Sequence, residues 1–484
     1  ATPSTVTRVM ESERSTWLDW HVRAEARRQV RRAGVPLGSI ELTVDVVVAS
    51  ALSDAHSVRI ASHLEVPPEP AALRRRDGSS VYTVAGSTRF TSQRLLDAEA
   101  RLVEAAGLVG GRIADANSVT VALLQALANV VELNEGQRRL VLELATSGRR
   151  LQVAIAPAGT GKTTAMSTLA AAWIDGGGDV LGLAPSAAAA EQLGLCLGAA
   201  TASDTLAKLA WAIDHGEPLG ARVGPGTLVI VDEAGMADTL TLDRVVGFCL
   251  DRGASMRLVG DDRQLSAVGA GGVLRDIATV NGAVRLYEAV RFASPAEAAA
   301  SLALRAGDAG ALGFYLDHHR VHVADAATAT RQVLDAWLTD VRAGRDALML
   351  APTRAAVAEL NAAARAELRR DGRGYLGLRN ALGNVLGNPC REARLADANT
   401  AEVGDLVLTR RNDRRLGGGV GWVRITPDFT VRVNAQILTE RDGPMLKHGL
   451  QEMDRRHLTL PDARKSWPDR DRLDLRYQRF LTAG

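Results

Sequence analysis

The sequence predicts an α/β protein centred on a parallel sheet with helices on both faces, and two observations carry that expectation. From residue 151 onward, short apolar runs alternate with helical segments: Leu151–Ala156, Val180–Ala184, Leu228–Val231, Met256–Val259, Val284–Leu286 and Ala347–Leu350. Runs of this kind suit strands buried on both faces, and a helix between successive strands is the crossover that parallel pairing requires. The first run also leads through a glycine-rich loop into a helix, Ala156-Pro157-Ala158-Gly159-Thr160-Gly161-Lys162-Thr163-Thr164, an arrangement suited to holding phosphate.

In chain order, residues 1–128 read as a mainly helical region. Trp17–Arg32 is amphipathic and arginine-rich, and Ser92–Ala106 carries Leu95, Leu96, Glu99 and Leu102 at helical spacing. Pro67, Pro68 and Pro70, followed by Arg74-Arg75-Arg76-Asp77-Gly78, mark a loop between them. Residues 129–310 form the first α/β domain, and 311–395 begin a second. A small β module covers 396–435, with Val403–Thr409 and Gly421–Arg424 as strands. Residues 436–484 are a charge-dense tail with a helix ending near Phe480.

The chain has 484 residues, 46% hydrophobic and 24% charged, a globular composition. No apolar run is long enough for a membrane span, and Ala1–Glu13 lacks the apolar centre of a signal peptide. Cys196, Cys249 and Cys390 are scattered and odd in number, which points to a reducing, cytoplasmic setting rather than a disulfide or zinc framework. A net charge of +2 selects no partner. The choice of base says more: lysine occurs only at 162, 208, 447 and 465, and arginine supplies the remainder. A lysine kept against that bias marks a place where a compact ammonium is needed and a planar fork fails.

Three motifs carry chemistry. In the first, backbone N–H groups of Pro157–Thr164 (proline excepted) and the helix N-terminus cradle the phosphates of ATP, with Pro157, Ala158, Gly159, Thr160, Gly161, Lys162, Thr163 and Thr164 as binding residues. Lys162 adds a point charge and the Thr163 hydroxyl ligates Mg²⁺. Ala156 replaces the usual first glycine, which is acceptable if its φ stays negative. In the second, Leu228–Val231 ends in Asp232-Glu233-Ala234; Asp232 holds Mg²⁺ from the neighbouring strand's tip, and Glu233 orients or deprotonates the attacking water. In the third, Gly260-Asp261-Asp262-Arg263-Gln264-Leu265 follows Met256–Val259, placing Gln264 to sense the terminal phosphate. Singly these could be a glycine-rich turn, an acidic turn and a polar loop; their order and strand context favour a nucleotide site.

These residues resemble superfamily 1 DNA helicases, more closely the RecD-like 5′-to-3′ branch, built from two RecA-like P-loop NTPase domains. Leu133-Asn134-Glu135-Gly136-Gln137 resembles the element whose glutamine reads adenine, implying that role for Gln137. Ala184-Pro185-Ser186-Ala187 and Thr205-Leu206-Ala207-Lys208 resemble elements facing single-stranded DNA, implying backbone contacts from Pro185, Ser186, Thr205 and Lys208. Val290-Arg291-Phe292 resembles the motif whose arginine reaches the γ-phosphate, implying Arg291. Ala351-Pro352-Thr353-Arg354 resembles the opening of the second RecA-like domain, implying DNA contacts from Thr353 and Arg354, and the 396–435 module resembles its small SH3-like β-barrel insertion. Residues 15–424 together look like the helicase half of actinobacterial TraI/TrwC-type (MobF) conjugative relaxases, on phrases including Tyr82-Thr83-Val84-Ala85-Gly86-Ser87 and Arg410-Arg411-Asn412-Asp413-Arg414-Arg415. That resemblance implies an ATP- and Mg²⁺-dependent motor on single-stranded DNA, with relaxosome or conjugation proteins as further partners.

The family's nicking tyrosine and three-histidine metal site are not visible. Asp317-His318-His319-Arg320-Val321-His322 reads as a turn entering a strand. Nothing between Thr426 and Gly484 matches the late motifs of a second RecA-like domain, so that domain is incomplete and the chain is expected to be a fragment or truncated product. Alternatives are a non-catalytic DNA-binding module or truncated, non-unwinding derivative of such a motor, and a different phosphate-loop ATPase of partition or kinase type. Trp17, Trp20, Trp173, Trp211 and Trp337 are expected to be core anchors, with Trp422 the best base-stacking candidate.

Overall fold

The computed structural model describes residues 2–60, 74–75, 86–198, 201–264, 272–288, 290, 292–345 and 347–370, and short strands beyond them. It divides into two compact units, Ala1–His318 and His319–Gly484.

The first unit opens with α1 (Pro3–Glu13), α2 (Asp19–Arg32) and α3 (Ile40–Ala51). Val6, Met10, Val22, Ala26, Val30, Val44 and Val48 recur at helical spacing and bury one shared core. The helix expected from Trp17 starts at Asp19 instead. Trp17 bridges to Phe90, with N–H···O distances of 2.8 and 2.9 Å, and is 1% exposed, so burial of the ring and this pairing hold it outside the helix. Strands β1 (Val58–Ile60) and β2 (Arg89–Thr91) pair antiparallel. Then α4 (Gln93–Ala106), capped by the Ser92 hydroxyl on the Leu95 N–H, joins two cores: Leu95 faces the helical one, while Leu102, Ala105 and Ala106 pack under the main sheet. The sequence loop of Pro67–Gly78 and the Tyr82–Ala85 phrase lie outside the described residues, apart from Arg74 and Arg75.

Helices α5 (Ala116–Ala128) and α6 (Glu135–Thr146) precede the sheet. It is built from β3 (Leu151–Ile155), α7 (Lys162–Asp175), β4 (Asp179–Ala184), α8 (Ala187–Leu197), β5 (Ala202–Thr205), α9 (Leu206–His215), α10 (Pro218–Ala221), β6 (Thr227–Val231), α11 (Thr239–Asp251), β7 (Ser255–Gly260), α12 (Val273–Asn281) and β8 (Val284–Arg285). The six strands run parallel in the order β5-β4-β6-β7-β3-β8. Both faces are covered. Leu151, Val153, Ile155, Val229, Val231, Met256 and Leu258 face one core with α4, α11 and α12; Ala154, Leu228, Ile230 and Val259 face the other with α6 and α7. The period of two within each strand creates this division. Strand β5, Ala-Ser-Asp-Thr, is an edge strand of intermediate exposure whose polar composition hid it from hydrophobic patterning. Helices α13 (Pro295–Ala306) and α14 (Leu312–Asp317) complete the unit.

In the second unit α15 (Ala326–Arg342) packs on α16 (Arg354–Arg370) through Leu334, Trp337, Leu338, Leu360, Ala364 and Leu368. Ala347–Leu350, expected as a strand, is not one: Met349 and Ala347 fill this helix–helix core, the Ala347 carbonyl accepts from Trp337 Nε1 at 3.0 Å, and no described strand lies alongside to pair with it. His318 caps α14 and His319 takes a positive φ, so the histidine cluster forms a turn, but no strand follows. Strands β9 (Glu392–Arg394) and β10 (Thr400–Glu402) pair antiparallel. Strands β11 (Leu406–Thr409), β12 (Trp422–Ile425), β13 (Val431–Val433) and β14 (Leu475–Tyr477) form an antiparallel sheet in the order β13-β12-β11-β14. The tail residues Leu475–Tyr477 are thus a strand against β11, where a helix was expected; pairing satisfies backbone groups along the β11 edge. Of the tryptophans with described side chains, Trp17, Trp173 and Trp337 are core anchors. Trp20 and Trp211 are exposed, each against a histidine of its own helix, because they fall on outward helix faces.

One buried position breaks the apolar pattern. Arg257, on β7, is 0% exposed. It donates to the carbonyls of Leu144 (2.8 Å), Arg149 (3.0 Å) and Met256 (2.8 Å), tying the C-terminal end of α6 to the sheet. Burial pulls its pKa down to about 10, still far above neutrality, so a cation held only by carbonyls sits in the core. Arg257→Ala should lower stability by about 2–4 kcal/mol, from the cavity and the freed carbonyls. Urea unfolding followed by tryptophan fluorescence measures this; a loss under about 1 kcal/mol would mean the three carbonyl contacts contribute little.

Candidate functional site

Parallel strands bring all their C-terminal ends to one edge of the sheet. That edge receives the phosphate loop after β3, the acids after β6, Asp261 after β7 and Pro185 after β4.

The phosphate loop is shaped from several sides. Ala156 is 1% exposed, lies outside the positive-φ region and donates its N–H to the Gly260 carbonyl at 2.8 Å, so alanine is compatible with its position. Thr160 is 1% exposed, and its hydroxyl donates to the Pro157 carbonyl at 2.8 Å. The Gly159 carbonyl accepts from the Val290 N–H at 2.8 Å. Gly161, the N-cap of α7, adopts φ 72°. A Cβ there would lie 2.2 Å from Gln137 Nε2, so both conformation and space demand glycine. Gln137 is 4% exposed and donates to the Thr160 (3.1 Å) and Gly161 (3.3 Å) carbonyls, while its Oε1 accepts from the Asn134 N–H. It closes the capping box of α6, as the Asn134–Gln137 spacing permits, and also braces the loop, a role the spacing did not reveal. Side-chain oxygens cap α6, α8, α9 and α11, but none caps α7. Its first-turn donors are left to an anion.

Lys162 lies between the two acids. Its Nζ is 3.2 Å from Asp232 Oδ1 and makes a closer ion pair with Glu233 Oε1. Burial alone would lower its pKa; the charges of Asp232 and Glu233 outweigh that and hold it above the ordinary lysine value, so it is cationic throughout the physiological range. Asp232 extends β6, its N–H donating to the Leu183 carbonyl at 2.9 Å, and its Oδ1 accepts from the Glu233 N–H at 2.9 Å. Glu233 adopts φ 51°, an uncommon left-handed conformation that aims its carboxylate at Lys162. The acids do not come from the strand next to the phosphate loop, as expected from order alone: β7 lies between β3 and β6. Gly235 allows the intervening closeness, since a Cβ there would lie 2.8 Å from the Asp261 carbonyl.

Gln264 is exposed and shares a cleft with Asp261, Asp262, Arg263, Arg275 and Gly235. Arg291 lies outside the described residues. Pro185 lines a groove with Leu206, Met236 and Leu240. The Ser186 and Thr205 hydroxyls cap α8 and α9, and Lys208 pairs with Asp204 at 2.6 Å while remaining 61% exposed. In the second unit Thr353 caps α16 by accepting from the Ala356 N–H at 3.2 Å; the Arg354 side chain and the phrase after Thr409 lie outside the described residues.

The donor set fits Mg²⁺ and a nucleoside triphosphate: an uncapped helix N-terminus with an ammonium, and the hard oxygens of Thr163 and Asp232. Fold and edge together define a phosphate-loop α/β protein with a helical N-terminal region. Residues 132–326 match the family described as an AAA domain. The "Probable conjugal transfer protein TraA" of Sinorhizobium fredii (strain NBRC 101917 / NGR234) is 28% identical over 303 residues, 62% of this chain. The conjugal transfer proteins TraA of Rhizobium radiobacter (28% over 331 residues, 68% of the chain) and Agrobacterium fabrum (27% over 357 residues, 73%) are similar in the same way. The matches span 27%, 28% and 31% of the length of these relatives. The crystal structure of Pif1 helicase from Candida albicans aligns with 61% of this chain and 69% of its own at a TM-score of 0.34 and 16% identity. No helix among the described residues is long and apolar enough to cross a membrane.

Sequence reading missed two features here. Arg305 grips the Asp261–Asp262 turn from α13, a contact 43 or 44 residues away in sequence that no local spacing encodes. Cys196 donates its thiol to the Thr163 carbonyl at 3.0 Å. Burial, reinforced by the Asp232 charge, pushes the Cys196 thiol up to about 11, and burial pushes Cys249 up to about 12. Both are protonated at neutral pH and therefore unreactive. Iodoacetamide at pH 7.5 should leave both unmodified in the folded chain while labelling the denatured chain, with Cys196 labelling accelerating as pH climbs toward 11. Peptide mass analysis reads the outcome, and rapid labelling of native Cys196 at pH 7.5 would contradict it. Gly161→Ala should cost about 1–3 kcal/mol of stability and weaken nucleotide binding about tenfold or more, because the loop must distort. Thermal unfolding and titration with a fluorescent ATP analogue check both.

Proposed function

We propose that the chain is an ATP-hydrolysing motor module acting on single-stranded DNA, of the RecD-like superfamily 1 helicase type, within a conjugative relaxase of the MobF kind. The observation that carries the reading is Lys162 held between Asp232 and Glu233 at the mouth of an uncapped, glycine-turned helix. A fold that only bound DNA would have no need to gather an ammonium and two carboxylates there. The names of the TraA relatives support the conjugation setting, with relaxosome or conjugation proteins as further partners.

Thr163 and Asp232 would hold Mg²⁺, which when bound would supply charge neutralisation on the phosphate oxygens. The N–H groups of Gly159–Thr164 bind and orient the triphosphate. Lys162 exchanges its carboxylate partners for phosphate oxygens, and this frees Glu233. The Glu233 carboxylate then accepts a hydrogen bond from the attacking water and aligns it with the terminal phosphorus, while Gln264 senses the terminal phosphate. Gln137 reads the adenine edge by giving up its contacts with the Thr160 and Gly161 carbonyls, and Arg291 supplies positive charge to the phosphate that departs. Pro185, Ser186, Thr205 and Lys208, with Thr353 and Arg354, contact the DNA backbone. Their contacts with phosphates make binding salt-dependent.

Lys162→Ala should abolish ATP binding or hydrolysis, whereas Glu233→Gln should bind ATP and lose turnover by about two orders of magnitude or more. EDTA should stop hydrolysis in the wild-type chain. Phosphate release with and without oligo-dT, and strand displacement from duplexes bearing a 5′ or a 3′ tail, test the motor assignment and its 5′-to-3′ direction. Normal turnover by Glu233→Gln would remove Glu233 from the mechanism, and hydrolysis indifferent to DNA would remove the motor.

A further inference from the structure

A dense polar latch surrounds the turn that ends β7. Asp261 is 5% exposed, and its carboxylate receives Arg305 Nε at 2.9 and 3.0 Å, together with a closer contact from Arg305 Nη2. The same Nη2 donates to Asp262 Oδ1 at 2.6 Å. The contact is reciprocated: Arg263, on the turn, donates to the Ala306 carbonyl at 3.0 Å, one residue beyond Arg305 at the end of α13. Two further arginines secure the turn, Arg275 on the Asp262 carbonyl at 2.7 Å and Arg285 at 3.6 Å from Asp262 Oδ2. Asp261 Oδ1 also accepts from the Arg263 N–H at 3.0 Å, which fixes the turn immediately before Gln264.

The turn sits where both halves of the nucleotide site meet. Gly260 receives the Ala156 N–H at the start of the phosphate loop, and the Asp261 carbonyl abuts Gly235, two residues after Glu233. A shift of the Asp261 backbone would therefore be felt by the phosphate loop, by Glu233 and by Gln264 together. A planar guanidinium that engages two adjacent carboxylates holds direction as well as charge, which a lysine ammonium does not.

We infer that Arg305 is a positioning residue for the nucleotide site: through Asp261 and Asp262 it fixes the β7 turn, and so the alignment of Gln264 and Glu233, to the end of α13. Arg305 does not touch the reacting atoms. The inference rests on the ATPase reading above and deepens it. It makes the C-terminal end of α13 part of the support of the catalytic groups.

The test compares wild type, Arg305→Lys, Asp261→Asn and the double variant by steady-state ATP hydrolysis with saturating oligo-dT, with ATP affinity and thermal unfolding measured in parallel. Arg305→Lys should lower kcat about tenfold or more while leaving ATP affinity within about threefold, since alignment is lost and the phosphate cradle is kept. Asp261→Asn should show the same split, and the double variant should be no worse than the more impaired single one, because both changes break one contact. A purely structural role would instead lower activity only in proportion to the folded fraction. Lys162-dependent turnover with both single variants at wild-type kcat, or with losses that multiply in the double variant, would overturn the inference alone. A wild-type chain without Lys162-dependent turnover would overturn the ATPase reading and this inference with it.

Discussion

The contact between the Lys162 ammonium and the carboxylates of Asp232 and Glu233 is the point on which the organisation of the site depends. Three charges of mixed sign can be gathered at low exposure only if each is paired, since an isolated buried ion loses its hydration without return. The fold provides the pairing by directing every parallel strand to the same edge, where backbone groups stop pairing and side chains take over. The net result is a cation with two acids beside a helix N-terminus that no side chain caps. Such an arrangement can trade one anion for another without being rebuilt.

Around that contact the support is layered. Gln137 presses on the phosphate loop from α6, and Arg257 ties the other end of α6 to β7. The β7 end then touches both the start of the phosphate loop and the turn after Glu233. Strand β7 is thus the keel of the site although it contributes neither the lysine nor its acids. A fully buried arginine is tolerated there because three carbonyls accept from it: Leu144 in the last turn of α6, Arg149 in the loop before β3, and Met256 beside it on β7. The N-terminal helices join the same structure through α4, whose Arg101 pairs with Asp243 of α11 at 2.7 Å and whose apolar face reaches the sheet core.

Much of this was legible in the residues. Strands β3, β4, β6, β7 and β8 lie in mostly apolar runs and stood out, and the glycine-rich stretch before Lys162 marked its own turn. Legibility failed where a strand is polar, as with β5, and where an apolar run is buried by helices, as with Ala347–Leu350. It failed again for Trp20 and Trp211, because helical periodicity does not fix which way a tryptophan faces and only the packing decides.

By itself the sequence determined the type of local structure and the identity of the chemical groups: which runs could be strands, which turn needed glycine, and which lysine and carboxylates were available. These are properties of neighbouring residues, set by backbone sterics and hydrophobic period. Only the tertiary structure decided the order of the strands, with β7 between the phosphate loop and the acids, the bracing of that loop by Gln137, and the grip of Arg305 on Asp261. The last two contacts join residues 23 and 44 positions apart, and chain closure over such distances is chosen by how whole faces pack, which no local pattern encodes.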